Sequence, residues 1–253
     1  MGLFLALMIF RDDPALIAVG ITSLLLLPTF YRLSTSTIIT IKTKKYWDFL
    51  KAVWPYTKVY IMVFFGIFFT FAVFAIFLPK LAVNHLFRQQ LAILTGGHAI
   101  TFSWPLFWDL FTWNLQVIML CFILSLVAGN GAIIFIAWNA SVWGTIFGNL
   151  AKTAAIAAQA NPVIVFILII LSVFPHTFLE GVSYIVATVS GTVLSDGISK
   201  EKVVSKKMWL IAKHTGLLLL TSLAILFIAC IVETYVLNNF TLYRTIIEIA
   251  FPR

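Results

Sequence analysis

Phe174-Pro175-His176-Thr177-Phe178-Leu179-Glu180-Gly181 sets a histidine and a carboxylate four residues apart inside an apolar run from about residue 161 to residue 196. Four residues advance an α-helix by one turn, so His176 and Glu180 fall on one face, one above the other. The run is about 36 residues long, more than the ~20 residues a membrane span requires. Pro175 divides it. Proline removes an intrahelical hydrogen bond and clashes with the preceding turn, so two readings compete: one long kinked helix, or a discontinuous span whose second half begins at His176. Either way the irregular backbone needs shelter from lipid. An ionised side chain at the bilayer centre costs roughly 2.5–3.5 kcal/mol on insertion scales, so the His-Glu pair requires a protein or water environment.

Outward from this stretch the whole chain has membrane character. Of its 253 residues 62% are hydrophobic and 10% charged, and the mean hydropathy is +1.05, far from soluble globular composition. The expected fold is an all-α polytopic transmembrane bundle, a single domain of about six spans. The net charge of +8 does not point to nucleic acid, because Lys and Arg sit between apolar segments with no recognition pattern. They act as topology signals toward anionic lipid surfaces. Cys121 and Cys230 both fall in apolar spans and imply no disulfide framework.

The expected spans cover about 14–31, 59–78, 106–128, 132–150, 161–196 and 209–237, with interfacial segments at 2–10, 81–104 and 238–253. Residues 1–10 hold no Lys or Arg, unlike a cleavable signal peptide. Gly129-Asn130-Gly131 reads as a tight turn that makes the third and fourth spans antiparallel neighbours. If the 161–196 segment crosses once, Arg32, Lys42, Lys44, Lys45, Lys51 and Lys58 fall on the same side as Lys200, Lys202, Lys206, Lys207 and Lys213. That is 11 of the 17 Lys and Arg. By the positive-inside rule the loops at 32–58 and 200–213 are then cytoplasmic in the cell membrane, with both termini outside.

Small residues recur at four-residue spacing on three spans, the pattern that lets transmembrane backbones approach closely. They are Cys121, Ser125 and Gly129; Ala140, Gly144 and Gly148; and Ser183, Ala187, Gly191 and Ser195. Beside them lie Asn114, Asn139, His176, Glu180, Tyr184 and Thr188. A buried polar group in hydrocarbon needs a partner, so these are expected to form one intramembrane cluster. The bland alternatives are definite: His176 and Glu180 as a hydrogen-bonded pair that pins the kink, Asn114 and Asn139 as interhelical contacts, Glu233 as a solvated interfacial carboxylate. Asp109, among Trp104, Trp108 and Trp113, fits an interfacial aromatic belt. Gln89 and His85 are secondary candidates on the same half. A metal ion at His176 and Glu180 would need further ligands, from His85, His98, Asp109 or Glu233, and no HExxH spacing is present.

Several stretches resemble the stage II sporulation protein M family in order along nearly the whole chain. They are Phe87-Arg88-Gln89-Gln90, Trp113-Asn114, Trp138-Asn139-Ala140-Ser141-Val142-Trp143-Gly144, Pro175-His176-Thr177-Phe178-Leu179-Glu180, Gly191 and Ile231-Val232-Glu233-Thr234-Tyr235. The family usually has Gly after the His and often Asn-Asn where this chain has Trp113-Asn114. The resemblance implies a membrane subunit that anchors or organises partner proteins, as the spore-forming member does for wall-degrading enzymes.

Three function classes follow. A membrane scaffold would organise membrane or extracytoplasmic proteins and could pair as a homodimer through its small-residue stripes. A transporter or lipid-moving protein would use a broken fifth span and a polar centre. An intramembrane metal-dependent hydrolase would rest on His176 and Glu180, and no nucleophile or ligand set completes it.

Overall fold

A computed structural model describes residues 13–40, 45–92, 104–202, 204–239 and 241–250. Among these residues all regular structure is helical: α1 (Pro14–Thr40), α2 (Tyr46–Phe77), α3 (Lys80–Leu86), α4 (Arg88–Ala92), α5 (Trp104–Ala128), α6 (Ile133–Ala157), α7 (Pro162–Lys200), α8 (Lys206–Asn239) and α9 (Thr241–Ala250). A 3-10 turn at Gly129–Ala132 joins α5 to α6. Five continuous helical segments are long and apolar enough to cross a membrane, and one of them, Trp104–Ala157, contains both α5 and α6. In their most apolar windows only 33–39% of residues are buried within the protein. So much outward apolar surface fits lipid as the surrounding solvent, not water.

The long helices extend beyond the spans read from hydropathy. α2 begins 13 residues before the expected start at residue 59, and α1 continues to Thr40. Lys51, Lys58 and the exposed Trp47 and Trp54 line the added turns of α2. Such residues lower a hydropathy window without ending a helix, since their stems cover apolar surface while their polar ends reach water. The interfacial reading of 81–104 resolves into α3 and α4 for its first part, and that of 238–253 into α9. Residues 2–10 and 93–103, including His98, lie outside the described residues.

α7 is one uninterrupted helix of 39 residues with Pro175 inside it. Of the two readings, the discontinuous one is corrected. Loss of one N–H leaves the carbonyl of Leu171 without its donor, a defect that 38 other residues in the same helix outweigh. The start of α7 is well determined by sequence: Asn161 Oδ1 accepts from Val163 N at 2.9 Å, with Pro162 in the first turn.

α7 is also the central post, packed against α2, α5, α6 and α8. α5 and α6 do run in opposite senses, but they make almost no direct contact, so the expectation of neighbours is corrected. The left-handed Gly129 (φ 54°) turns the chain beneath Ser195, and α7 occupies the space between the two helices. α5 runs parallel to α7, with Gly191 against Phe122 and Ser125. α6 runs antiparallel to it, with Leu150 and Ala154 beside Val165 and Ile169.

Three close approaches depend on absent side chains. A Cβ on Gly144 would overlap the carbonyl of Phe68, one on Gly148 would lie 2.6 Å from the carbonyl of Ala72, and one on Gly191 would lie 2.5 Å from the carbonyl of Phe122. The first two join α6 to α2 and the third joins α5 to α7. α7 and α8 form an antiparallel hairpin tied by Ser190 Oγ donating to Thr215 O (2.7 Å) and Ser222 Oγ to Ser183 O (2.8 Å). Lys152 Nζ donates to the carbonyl of Leu78, at the C-terminal end of α2, where a cation is favoured by the helix dipole.

The later part of α1, the start of α2, the α5–α6 turn, the end of α7 and the start of α8 lie together at one end of the bundle. There Ser34 meets Asn130, Thr192 meets Gly129, and Tyr46 reaches Thr221. The described basic residues of these stretches, among them Arg32, Lys51, Lys200 and Lys207, therefore share that end, here called the basic end. Pro14, Leu78, Trp104 and Pro162 mark the opposite, far end.

Candidate functional site

Toward the far end, three helices bring polar side chains into contact. From α7, Tyr184 Oη donates to Asn114 Oδ1 of α5 at 2.5 Å. Asn114 Nδ2 in turn donates to Glu180 Oε1 at 3.1 Å. α8 completes the group. The Glu233 carboxyl lies beside the Glu180 carboxyl, and the Cys230 thiol lies beside the Asn114 amide. Asn114, Glu180 and Tyr184 are all buried, and Glu233 Oε2 is a buried atom without a hydrogen-bond partner among the described residues.

Helix periodicity explains the α7 part: Glu180 and Tyr184 are one turn apart and therefore share a face. On α8, Cys230 and Glu233 are three apart, which is also one face. α5 brings Asn114 to the level of these residues because it runs parallel to α7, with Gly191 further along fixing the distance between the two backbones.

The other sequence candidates fall elsewhere. His176 is 6% exposed, its Nδ1 has no hydrogen-bond partner among the described residues, and it makes no bond to Glu180. Its four-residue spacing from Glu180 gives a shared face, but Glu180 directs its Oε1 to Asn114 instead. Asn139 Nδ2 donates to the carbonyl of Phe135 on its own helix at 2.9 Å and does not join the group. Asp109, His85 and Gln89 are exposed. Among the described residues no three His, Cys, Asp or Glu side chains are grouped as metal ligands.

Two arrangements were missed by reading the sequence. Gln90, beside the candidate Gln89, is fully buried, and neither of its amide atoms has a partner among the described residues. At the basic end, Tyr56 Oη donates to Asn130 Oδ1 at 2.6 Å, Asn130 Nδ2 donates to Ser34 Oγ at 3.0 Å, and Tyr60 Oη lies 3.3 Å from Tyr56 Oη. The signal was available, since Asn130 between two glycines is a polar residue at a helix junction. Its role as a turn former explained it sufficiently, and nothing local shows that its amide points inward.

Long apolar helices around an interior of mutually bonded polar groups define an integral, multi-pass α-helical membrane protein. The family model of stage II sporulation protein M matches residues 61–236, from the middle of α2 nearly to the end of α8. The chain belongs to that family. No curated protein and no solved structure gave a match. Asn114, Glu180, Tyr184 and Glu233 all lie within the matched stretch, whereas Ser34, Tyr56 and Tyr60 precede it.

Proposed function

We propose that this protein is a membrane scaffold: a multi-pass anchor that holds partner proteins at the cell membrane, with its basic end in the cytoplasm and both termini outside. The observation that carries this reading is how the interior polar groups are used. Asn114, Glu180 and Tyr184 bond to one another across helices, as do Ser190 with Thr215 and Ser222 with Ser183. An apolar cleft between α2, α6 and α7 is lined by Phe64, Phe65, Phe68, Trp143, Phe174 and Phe178, and none of Asn114, Glu180, Tyr184 and Glu233 lines it. Polar contacts spent inside the bundle give a rigid body, and a rigid body suits a docking platform. The concentration of Lys and Arg at one end supports the orientation.

A transport reading has one observation in its favour, the two carboxyls at membrane depth. Reconstitution separates the two. The expected result is proteoliposome flux of protons and alkali cations equal to that of empty vesicles, together with a stoichiometric complex recovered when the tagged protein is purified from its own membranes in mild detergent. Flux above empty vesicles that Glu180→Gln abolishes would replace the scaffold with a transporter. For the orientation, a single cysteine introduced at Lys202 should react with an impermeant thiol reagent only from the cytoplasmic side.

A further inference from the structure

Glu180 on α7 and Glu233 on α8 meet in the interior of the bundle. The groups beside them are Tyr184 from α7, Asn114 from α5 and Cys230 from α8; His176 lies one turn before Glu180 without a bond to it, and Cys121 lies beside Tyr184. From α2 and α6, the rings of Phe64, Phe65 and Trp143 pack against this stretch of α7. Among the described residues, no Lys, Arg or His forms an ion pair with either carboxyl.

The donor that reaches Glu180 is fixed by its neighbour. Tyr184 has a single hydroxyl proton and gives it to Asn114 Oδ1, which fixes the amide so that Nδ2 points to Glu180 Oε1. No described group donates to Glu233 Oε2, although that atom is buried. An ionised carboxyl can only accept hydrogen bonds. Two ionised carboxyls in contact repel, and an apolar environment screens that repulsion little. Among the described residues no donor is placed at Glu233 Oε2, so the contact between the two carboxyls lacks a hydrogen unless one of them carries it.

We propose that the Glu180–Glu233 pair is a one-proton binding site, filled from the medium, that clasps α8 to α7 beside Asn114. When filled, the proton is covalently held by one carboxyl and donated to the other as an O–H···O hydrogen bond. When the proton leaves, the same contact becomes a repulsion between two anions, and the far halves of α7 and α8 lose their tie. The clasp adds a chemical condition to the bundle and does not depend on whether its role is scaffolding or transport.

Infrared spectroscopy of the protein in proteoliposomes at neutral pH tests this. The expected result is a protonated carboxylic-acid C=O band in the wild type, absent from both Glu180→Gln and Glu233→Gln, and kept in Asp109→Asn, whose carboxyl is exposed. Absence of the band from the wild type, or its survival in either Gln variant, overturns the proposal. Should the Gln variants not fold, the wild type decides. The folded state would carry a proton that the unfolded chain has released, so the unfolding equilibrium should rise about tenfold per pH unit as pH rises. A flat response overturns the site, and stabilisation by sodium without any effect of pH assigns it to an alkali cation instead.

Discussion

The far-end group joins α5, α7 and α8, the basic-end group joins α1, α2 and the turn after α5, and the two differ in one chemical respect. At the basic end Ser34, Tyr56, Tyr60 and Asn130 are neutral, and each of the bonds described there has a donor supplied by the chain. At the far end Asn114 and Tyr184 form a similar neutral pair, but it leads into two carboxyls and a buried oxygen without a partner. A neutral network in hydrocarbon is sufficiently explained by helix packing, since interhelical hydrogen bonds there are worth about 0.6 kcal/mol on average. Carboxyls at that depth cost several times as much. A cost of that size, where the carboxyls are ionised, sets the far end apart from the basic end.

The largest expected effect should strike both regions together. Gly191→Leu would drive a side chain into the backbone of α5 at Phe122, separating α5 from α7 along their whole contact. Overpacking of this kind costs about 3 kcal/mol or more, so the variant should show a sharply lowered melting temperature in detergent. A melting temperature unchanged from wild type would mean that α5 and α7 are not held as described.

Asn114→Leu sharpens the comparison from the far end. It keeps the volume, removes the donor to Glu180 and leaves the Tyr184 hydroxyl without its acceptor, two orphaned groups at about 1–3 kcal/mol each. Asn130→Leu likewise takes the acceptor from Tyr56 and the donor from Ser34, but both are neutral hydroxyls and Tyr56 keeps Tyr60 beside it, so the loss should be smaller, about 1 kcal/mol. Chemical denaturation of the two variants side by side gives the ratio. Equal losses would erase the distinction between the regions.

The membrane class and the approximate positions of the long helices were legible because hydropathy reports them directly. Helix ends were not, because Lys51 and Lys58 of α2 end a hydropathy window without ending a helix. The small-residue spacing at Gly144, Gly148 and Gly191 indicated close approach, but not that α6 would meet α2 while α5 would meet α7. Within α7 the face shared by Glu180 and Tyr184 could be read from spacing. The face shared by Glu180 and His176 could be read equally well, and there the spacing misled, since which group bonds depends on what the neighbouring helix offers. Glu233 read as a solvated interfacial carboxylate because it is near the end of an apolar segment, and the packing of α8 against α7 brings it to Glu180. In each case spacing within a helix was informative, and pairing between helices was not.

The central position of α7 has a consequence for how the chain is made. Synthesis proceeds from the N-terminus, so α5 and α6 enter the bilayer before the helix that separates them exists. Asn114 therefore arrives ahead of Glu180 and Tyr184, its partners on α7, and ahead of the α8 residues Cys230 and Glu233. Until α7 is delivered, an amide meant for the interior has only lipid or the insertion machinery around it, and the nascent bundle is an open cradle with its post missing. A chain truncated before residue 162 should accordingly be held by insertion factors or degraded, while one that includes α7 and α8 can close.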